Sequence, residues 1–446
     1  MDRKEKFVIQ LNNSATDGTI KNKLSSESPP QRNLTHYTSD LGALLHIVKG
    51  SLGAGLLAMP FAFKNAGLIM GTIGLVITGI IVTHTTAMLI NCSQGLCEIF
   101  NRGSMSYADT AEYAFLHGFK GRVKHHAPKA RMMANFFLFI TYYGVNICYV
   151  LLIAETAQQV LEKHTGFRFD IRWYTFASLF IIYPVSIIRW MKFLVPFSAA
   201  ANSLLCIGLF MVFWEIFRKI PPIDSVPSSK PLEFLPIFIA TAFLSLEGVG
   251  TIMPVENEMK NPKHLTNRPG LMYYGMVVVV LANTVVGFFG YLRYGDASEA
   301  VISLNLPDDW LSEAVKLSIA LSILFTFGLQ LTVSVKVVWD GVSKPTDSDD
   351  SWFYYVVRSL LIFGCVGIAT ALPSLKGVIG LIGSVGFSML GIFCPALIEL
   401  TYLSTSQPGF VQWYLIKDVT LMVFSLFCGI VGTYSSILEI WYNPHK

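Results

Sequence analysis

The sequence predicts an all-α, polytopic membrane protein with about eleven transmembrane helices, arranged as an inverted 5+5 repeat plus one extra helix. Three observations carry this. The 446 residues are 53% apolar and 14% charged, with a mean hydropathy of +0.53, whereas soluble domains average about 25% charged residues. About eleven runs reach the roughly 20 apolar residues that a helix needs to cross a bilayer. The first and sixth of these runs are interrupted by the same residue types, Gly-x-Gly and then Pro.

Taken in order, residues 1–40 form a polar, Ser-rich tail of mixed charge without an apolar core, expected to be disordered and not a cleavable signal. Residues 41–442 form a single membrane domain. Its spans are expected at about 41–63, 67–91, 132–160, 172–188 and 193–216 in the first repeat (41–216). In the second repeat (233–402) they are expected at about 233–254, 271–292, 310–338, 352–372 and 377–402, with an extra helix at 411–438. Between the second and third spans lie an amphipathic piece, Tyr107 to Leu116, and a basic cluster of Lys120, Arg122, Lys124, Lys129 and Arg131. Lys and Arg concentrate in the loops that fall inside when the N-terminus is cytosolic, which places the C-terminus outside or in a lumen. The formal charge of +4 gives no reason to expect nucleic acid as a partner. The seven cysteines show no metal-ligand spacing and are expected to pack as small apolar residues.

The first interruption is HIVKGSLGAGLLAMP, His46 to Pro60. An interior Gly costs a helix about 1 kcal/mol and Pro about 3 kcal/mol. Hydrocarbon offers the freed amides no water, so a break persists only where protein, ligand or a wet cavity satisfies it. Taken alone, these glycines are better explained by close helix packing. The second interruption reverses that preference. Span 6 reads AFLSLEGVGTIMPVENEMKNP, with Glu247 beside Gly248 and Gly250, and Pro254 a turn later. An odd spacing between the breaks inverts one half relative to the other, the pattern of a midplane site between two discontinuous helices.

Such a site selects its ligand by charge. Half-helix N-termini present free amides to a carboxylate, and half-helix C-termini present carbonyls to an ammonium. A free amino acid carries both groups. Ser51, Gly53, Ala54 and Gly55 from span 1, with Ser245, Leu246, Gly248 and Gly250 from span 6, are the expected substrate-binding residues. No nucleophile–base pair, phosphate loop or metal cluster is visible, so the reading includes no catalytic residue, no metal and no cofactor.

HIVKGSLGAGLLAMPFAFKNAG, LEGVGTIMPVENEMKNPKH and YLRYGDASEAVISLNLP resemble the proton-coupled amino acid transporters of the amino acid/auxin permease group, over about residues 40–440, and are closest to the invertebrate members. The resemblance implies a LeuT-like 5+5 core plus an extra helix and proton symport of small neutral amino acids, with protons as the coupling ion. It also implies that His46, in the family's His-x-x-Lys-Gly pattern, takes part in proton coupling. Leu246 stands where members often carry Phe or Tyr, and the outer loops lack the cysteines of some members' luminal disulfide.

Ionisable groups inside a membrane are functional candidates by default. His46 lies about a turn and a half into span 1 and about two turns before Gly53, on a similar face. Its ordinary titration near pH 6.5 suits loading on an acidic side; the alternative is a neutral, hydrogen-bonded histidine. Lys49, Glu247, Thr326 and Gln330 are candidates for coupling or gating, with snorkelling, helix capping or interhelical bonding as the structural alternatives. Glu155 and Glu399 are expected to pair structurally, and Glu256 and Glu258 to lie at the interface. The leading expectation is a secondary-active symporter, in a plasma or lysosomal membrane, moving amino acids toward the cytosol. Sodium coupling is the alternative within transport. A low-turnover amino acid sensor, whose tail and basic loop serve cytosolic signalling partners, is the alternative from another class.

Overall fold

The structure, a computed structural model, describes residues 38–51, 53–187, 191–246, 248–267, 270–342, 352–404 and 408–442. The described residues are helical nearly throughout. The first span is α1 (Asp40–Ser51), a break, then α2 (Ala54–Leu57) and α3 (Met59–Ala66). The second is α4 (Leu68–Ile99). The short helix α5 (Tyr107–His117) precedes α6 (Ala127–Thr165), α7 (Ile171–Ser186) and α8 (Met191–Arg218). The second broken span is α9 (Leu235–Leu246) and α10 (Val249–Glu258), followed by the turn α11 (Lys263–Thr266). Then come α12 (Leu271–Tyr294), α13 (Trp310–Val342), α14 (Trp352–Ala371), α15 (Leu375–Leu381), α16 (Cys394–Leu403) and α17 (Pro408–Tyr442). Seven of the helical segments are long and apolar enough to cross a bilayer as unbroken rods. The broken spans fall outside that number because neither half is long enough by itself.

Two details depart from what the residues suggested. Glycines make both breaks; the prolines do not. Pro60 sits in the first turn of α3, where the amide it lacks would have no helical partner. Pro254 lies inside α10, beyond the break at Gly248. The tenth span was expected to be ordinary α-helix, but between α15 and α16 it widens into π-helical turns at Ile382–Phe387 and Met389–Phe393. Such turns are frequent at functional sites. Gly383 makes the crossing with α9 possible, because a Cβ there would overlap the Ala240 carbonyl.

The side on which α1 begins is called here the tail side, and the opposite one the far side. On the tail side the ends of the two broken spans are tied together. The Thr38 amide donates to the Glu258 carbonyl at 3.0 Å, and Asp40 pairs with His264 at 2.9 Å. On the far side Lys163 and His164 of α6 both pair with Glu313 of α13. Within the membrane, Arg358 of α14 is fully buried. Its Nε donates to the Ser186 carbonyl at the end of α7 (2.6 Å), and Nη2 donates to the Gly328 carbonyl of α13 (3.2 Å). A buried guanidinium is costly in a bilayer, and this one binds α7, α13 and α14 into one block. The amphipathic piece is α5, started by a capping box in which Ser106 and Asp109 bond reciprocally.

Candidate functional site

The two breaks meet backbone to backbone. A Cβ on Gly55 would stand 2.6 Å from the Cα of Ser245, so only glycine allows this approach. At the second break a Cβ on Gly250 would overlap the Tyr142 hydroxyl of α6. Neither half-helix that begins at a break has a side-chain cap: Gly53 and Gly248 hold the N-cap positions. Helix starts leave backbone amides, and helix ends carbonyls, without intrahelical partners, and α1 and α9 end beside the starts of α2 and α10. Ser245 donates its hydroxyl to Asn283 Oδ1 of α12, and Asn283 donates in turn to the Val279 carbonyl at 2.9 Å. Both side chains are buried, and they fix the second break to its neighbour.

Beside the junction lies a cavity of about 470 Å³. His46, Lys49, Ser51, Gly53, Gly55, Gly250, Thr326 and Gln330, all singled out from the sequence, line it. Ser245, Leu246 and Gly248 do not; they are buried behind the lining and shape the break from within. Ala54 contributes backbone at the start of α2. Glu247 lies outside the described residues. The wall is completed by residues the sequence did not flag, notably Tyr142, Tyr149 and Leu152 of α6, Leu375 and Ile379 of α15, and Phe387. The Ser51 hydroxyl is buried, faces the second break, and has no hydrogen-bond partner among the described residues. A buried hydroxyl left unpaired costs about 1–3 kcal/mol, so the cavity presents a polar group in need of a ligand.

The exposed lining residues His46, Lys49 and Gly50 lie on the tail side of the first break. On the far side, Val301 and Leu375 are buried and close the cavity. Beyond Leu375 is a second, polar cavity of about 500 Å³ that includes Glu155, Glu299 and Lys376. Lys376 pairs with Glu299 at 2.7 Å, and Glu155 accepts from the Leu375 amide. Glu399 pairs with Lys417, away from both cavities. Glu256 lies near the tail-side end of the second broken span, two residues from the Glu258 carbonyl that takes the Thr38 amide. It is buried, and Gln94 Nε2 of α4 donates to it at 3.3 Å.

The sequence profile of the transmembrane amino acid transporter protein family matches residues 36–438. Over 413 residues the chain is 34% identical to the proton-coupled amino acid transporter-like protein pathetic of Drosophila melanogaster, covering 92% of this chain and 87% of that one. Over 450 residues it is 24% identical to amino acid transporter ANT1 of Arabidopsis thaliana, covering 96% and 99%. Among solved structures it is similar to Mhp1, a nucleobase-cation-symport-1 family transporter in a closed conformation with bromovinylhydantoin bound. The TM-score is 0.51 at 12% identity, over 92% of this chain and 94% of that one. At that identity the likeness is one of fold, the LeuT-like inverted repeat. The matched profile extends from the tail-side tie at Thr38 to the last helix, taking in both breaks and the cavity between them: the chain belongs to the transmembrane amino acid transporter protein family.

Proposed function

We propose that this protein is a secondary-active symporter that carries small neutral amino acids together with protons, by alternating access, from the far side to the tail side, with the tail side cytosolic. The observation that supports it best is the junction at Gly55 and Ser245, where two uncapped half-helices open beside a cavity of about 470 Å³. The substrate carboxylate takes the amides that begin α2 and α10, and the Ser51 hydroxyl supplies a further donor. The ammonium takes the carbonyls that end α1 and α9. The surrounding wall of Leu152, Val255, Leu329 and Phe387 is apolar and admits a small aliphatic side chain.

His46 stands on the cavity wall on the tail side of the break. Its imidazole is the group assigned to carry the coupling proton in this reading. In the geometry described, the cavity's exposed lining faces the tail side, and the Lys376–Glu299 pair with Leu375 seals the far route. Protons as the coupling ion agree with the name of the Drosophila relative. The host membrane in this reading is plasma or lysosomal, either of which can provide an acidic far side.

The test is uptake into proteoliposomes with an imposed pH gradient and sodium replaced by choline. A small neutral amino acid should accumulate, and His46→Ala should remove the response to the gradient while the protein still reaches the membrane. Uptake that needs sodium and ignores pH, or a His46→Ala variant with normal proton-driven uptake, would contradict the proposal. Saturable binding without net flux would favour a sensor.

A further inference from the structure

Away from the cavities, α4, α16 and α17 enclose a charged cluster that transport through the central site does not use. Lys417 of α17 donates to Glu399 of α16, and its ammonium lies 3.2 Å from Asp418 Oδ1. His84 Nε2 of α4 is 3.5 Å from the same ammonium, and the Tyr414 ring centre is 5.2 Å from it. Asp418 is buried, with 0% of its side chain accessible. Neither of its oxygens receives a hydrogen bond among the described residues. The Glu399 carboxyl lies alongside that of Asp418. Cys92 of α4 borders the group, and Tyr402 of α16 lies beyond it with the His117 ring of α5 at 5.9 Å.

The charges do not balance. One ammonium against two carboxylates leaves one negative charge beside Asp418, whose side chain is shut off from solvent. Neighbouring carboxylates in a poorly solvated site cannot both ionise cheaply, and an unpaired charge within a bilayer is costly. His84 does not supply the missing positive charge, because an imidazolium at 3.5 Å would face the Lys417 ammonium directly. As neutral imidazole it accepts from that ammonium instead. With the Lys417 ammonium set against both carboxyls, the pair is brought to neutrality by one shared proton, as in a carboxyl dyad.

We propose that Asp418, Glu399 and Lys417 form a proton-binding site separate from the transport cavity. Asp418 carries the proton and donates it to Glu399, and Glu399 also accepts from Lys417. The cluster is then neutral. Because its members come from α4, α16 and α17, loss of the proton places two adjacent negative charges at the joint between the first repeat and the last two helices. The protein is therefore stabilised while the proton is held and loses that stability as pH rises through the site's titration.

The test uses the full chain in lipid nanodiscs, with infrared difference spectroscopy and thermal unfolding followed from acidic to alkaline pH. Wild-type protein should show a protonated-carboxyl absorption at neutral pH that both Asp418→Asn and Glu399→Gln remove. Each substitution leaves a single carboxylate beside Lys417, so the alkaline loss of thermal stability seen in the wild type should disappear in both. If one variant fails to fold, the other carries the same comparison. An absorption unchanged by the substitutions, or alkaline destabilisation identical in wild type and variant, would overturn the proposal. So would alkaline destabilisation of the wild type that sodium, but not choline, reverses, since that would assign the site to a metal cation.

Discussion

The two breaks use the same residues and are held in opposite ways. At the first, His46, Lys49 and Gly50 are exposed, and a Cβ on Gly53 would meet nothing within 4 Å. At the second, Leu246 and Ile252 are wholly buried, Ser245 is bonded to Asn283, and Tyr142 covers Gly250. The first break is tight at Gly55 and Ser51, where it touches the second. One break is therefore anchored on all sides and the other is anchored along one. In the proposed alternating-access cycle, that asymmetry assigns the movement to α1 and makes the second break the surface it moves against.

The largest effect should come from filling the anchored contacts. Gly250→Ala and Gly55→Ala each force an overlap that costs about 1–3 kcal/mol, so uptake per molecule at the membrane should fall about tenfold or more. Normal uptake by Gly55→Ala would mean that the breaks do not meet as described, and by Gly250→Ala that Tyr142 does not close on the second break. Next come Ser245→Ala and Asn283→Ala. Each strands a buried partner at about 1–3 kcal/mol, and a double-mutant cycle on thermal stability should show the pair losing less than the sum of the singles. Strict additivity would remove the anchoring role. Gly53→Ala should be nearly silent, since space is open and its φ of −108° suits an ordinary residue. A change in uptake beyond about twofold, or roughly 0.5 kcal/mol, would contradict the contrast between the breaks.

The smallest effect should appear far from both. Ser106→Ala removes the cap of α5 and should cost about 1 kcal/mol, read as faster amide exchange in α5 with uptake unchanged. Burial alone would raise the Asp109 carboxyl, but its bonds to Ser106 and Arg131 outweigh that and hold it below the usual range. Its contribution is therefore present above the ordinary carboxylate range and is lost as pH falls through its lowered value. Acid should loosen α5 in the wild type, and Asp109→Asn should abolish that dependence.

What could be read from the residues follows the bilayer's demands. Long apolar runs announce spans, and Gly-x-Gly inside such a run announces a break, because hydrocarbon penalises every freed amide. What could not be read depends on pairs distant along the chain. Nothing near Gly250 signals that Tyr142 covers it. Asn283 is conspicuous within LANTVV, but its partner Ser245 is visible only once α9 and α12 are packed. Glu256 stands near the end of span 6 in the sequence, but that α4 brings Gln94 over it is visible only in the packed structure. The π-turns leave no periodic trace, because in a membrane the lipid-facing surface is as apolar as the core.

The adjacency of the breaks around a bound amino acid is tested most directly at Gly53. In a chain whose seven cysteines are replaced by alanine, Gly53→Cys places a thiol in open space on the cavity wall. A hydrophilic thiol reagent applied from the tail side should label it, and a saturating small neutral amino acid should protect it. A thiol that reacts equally with and without substrate would place the binding site elsewhere.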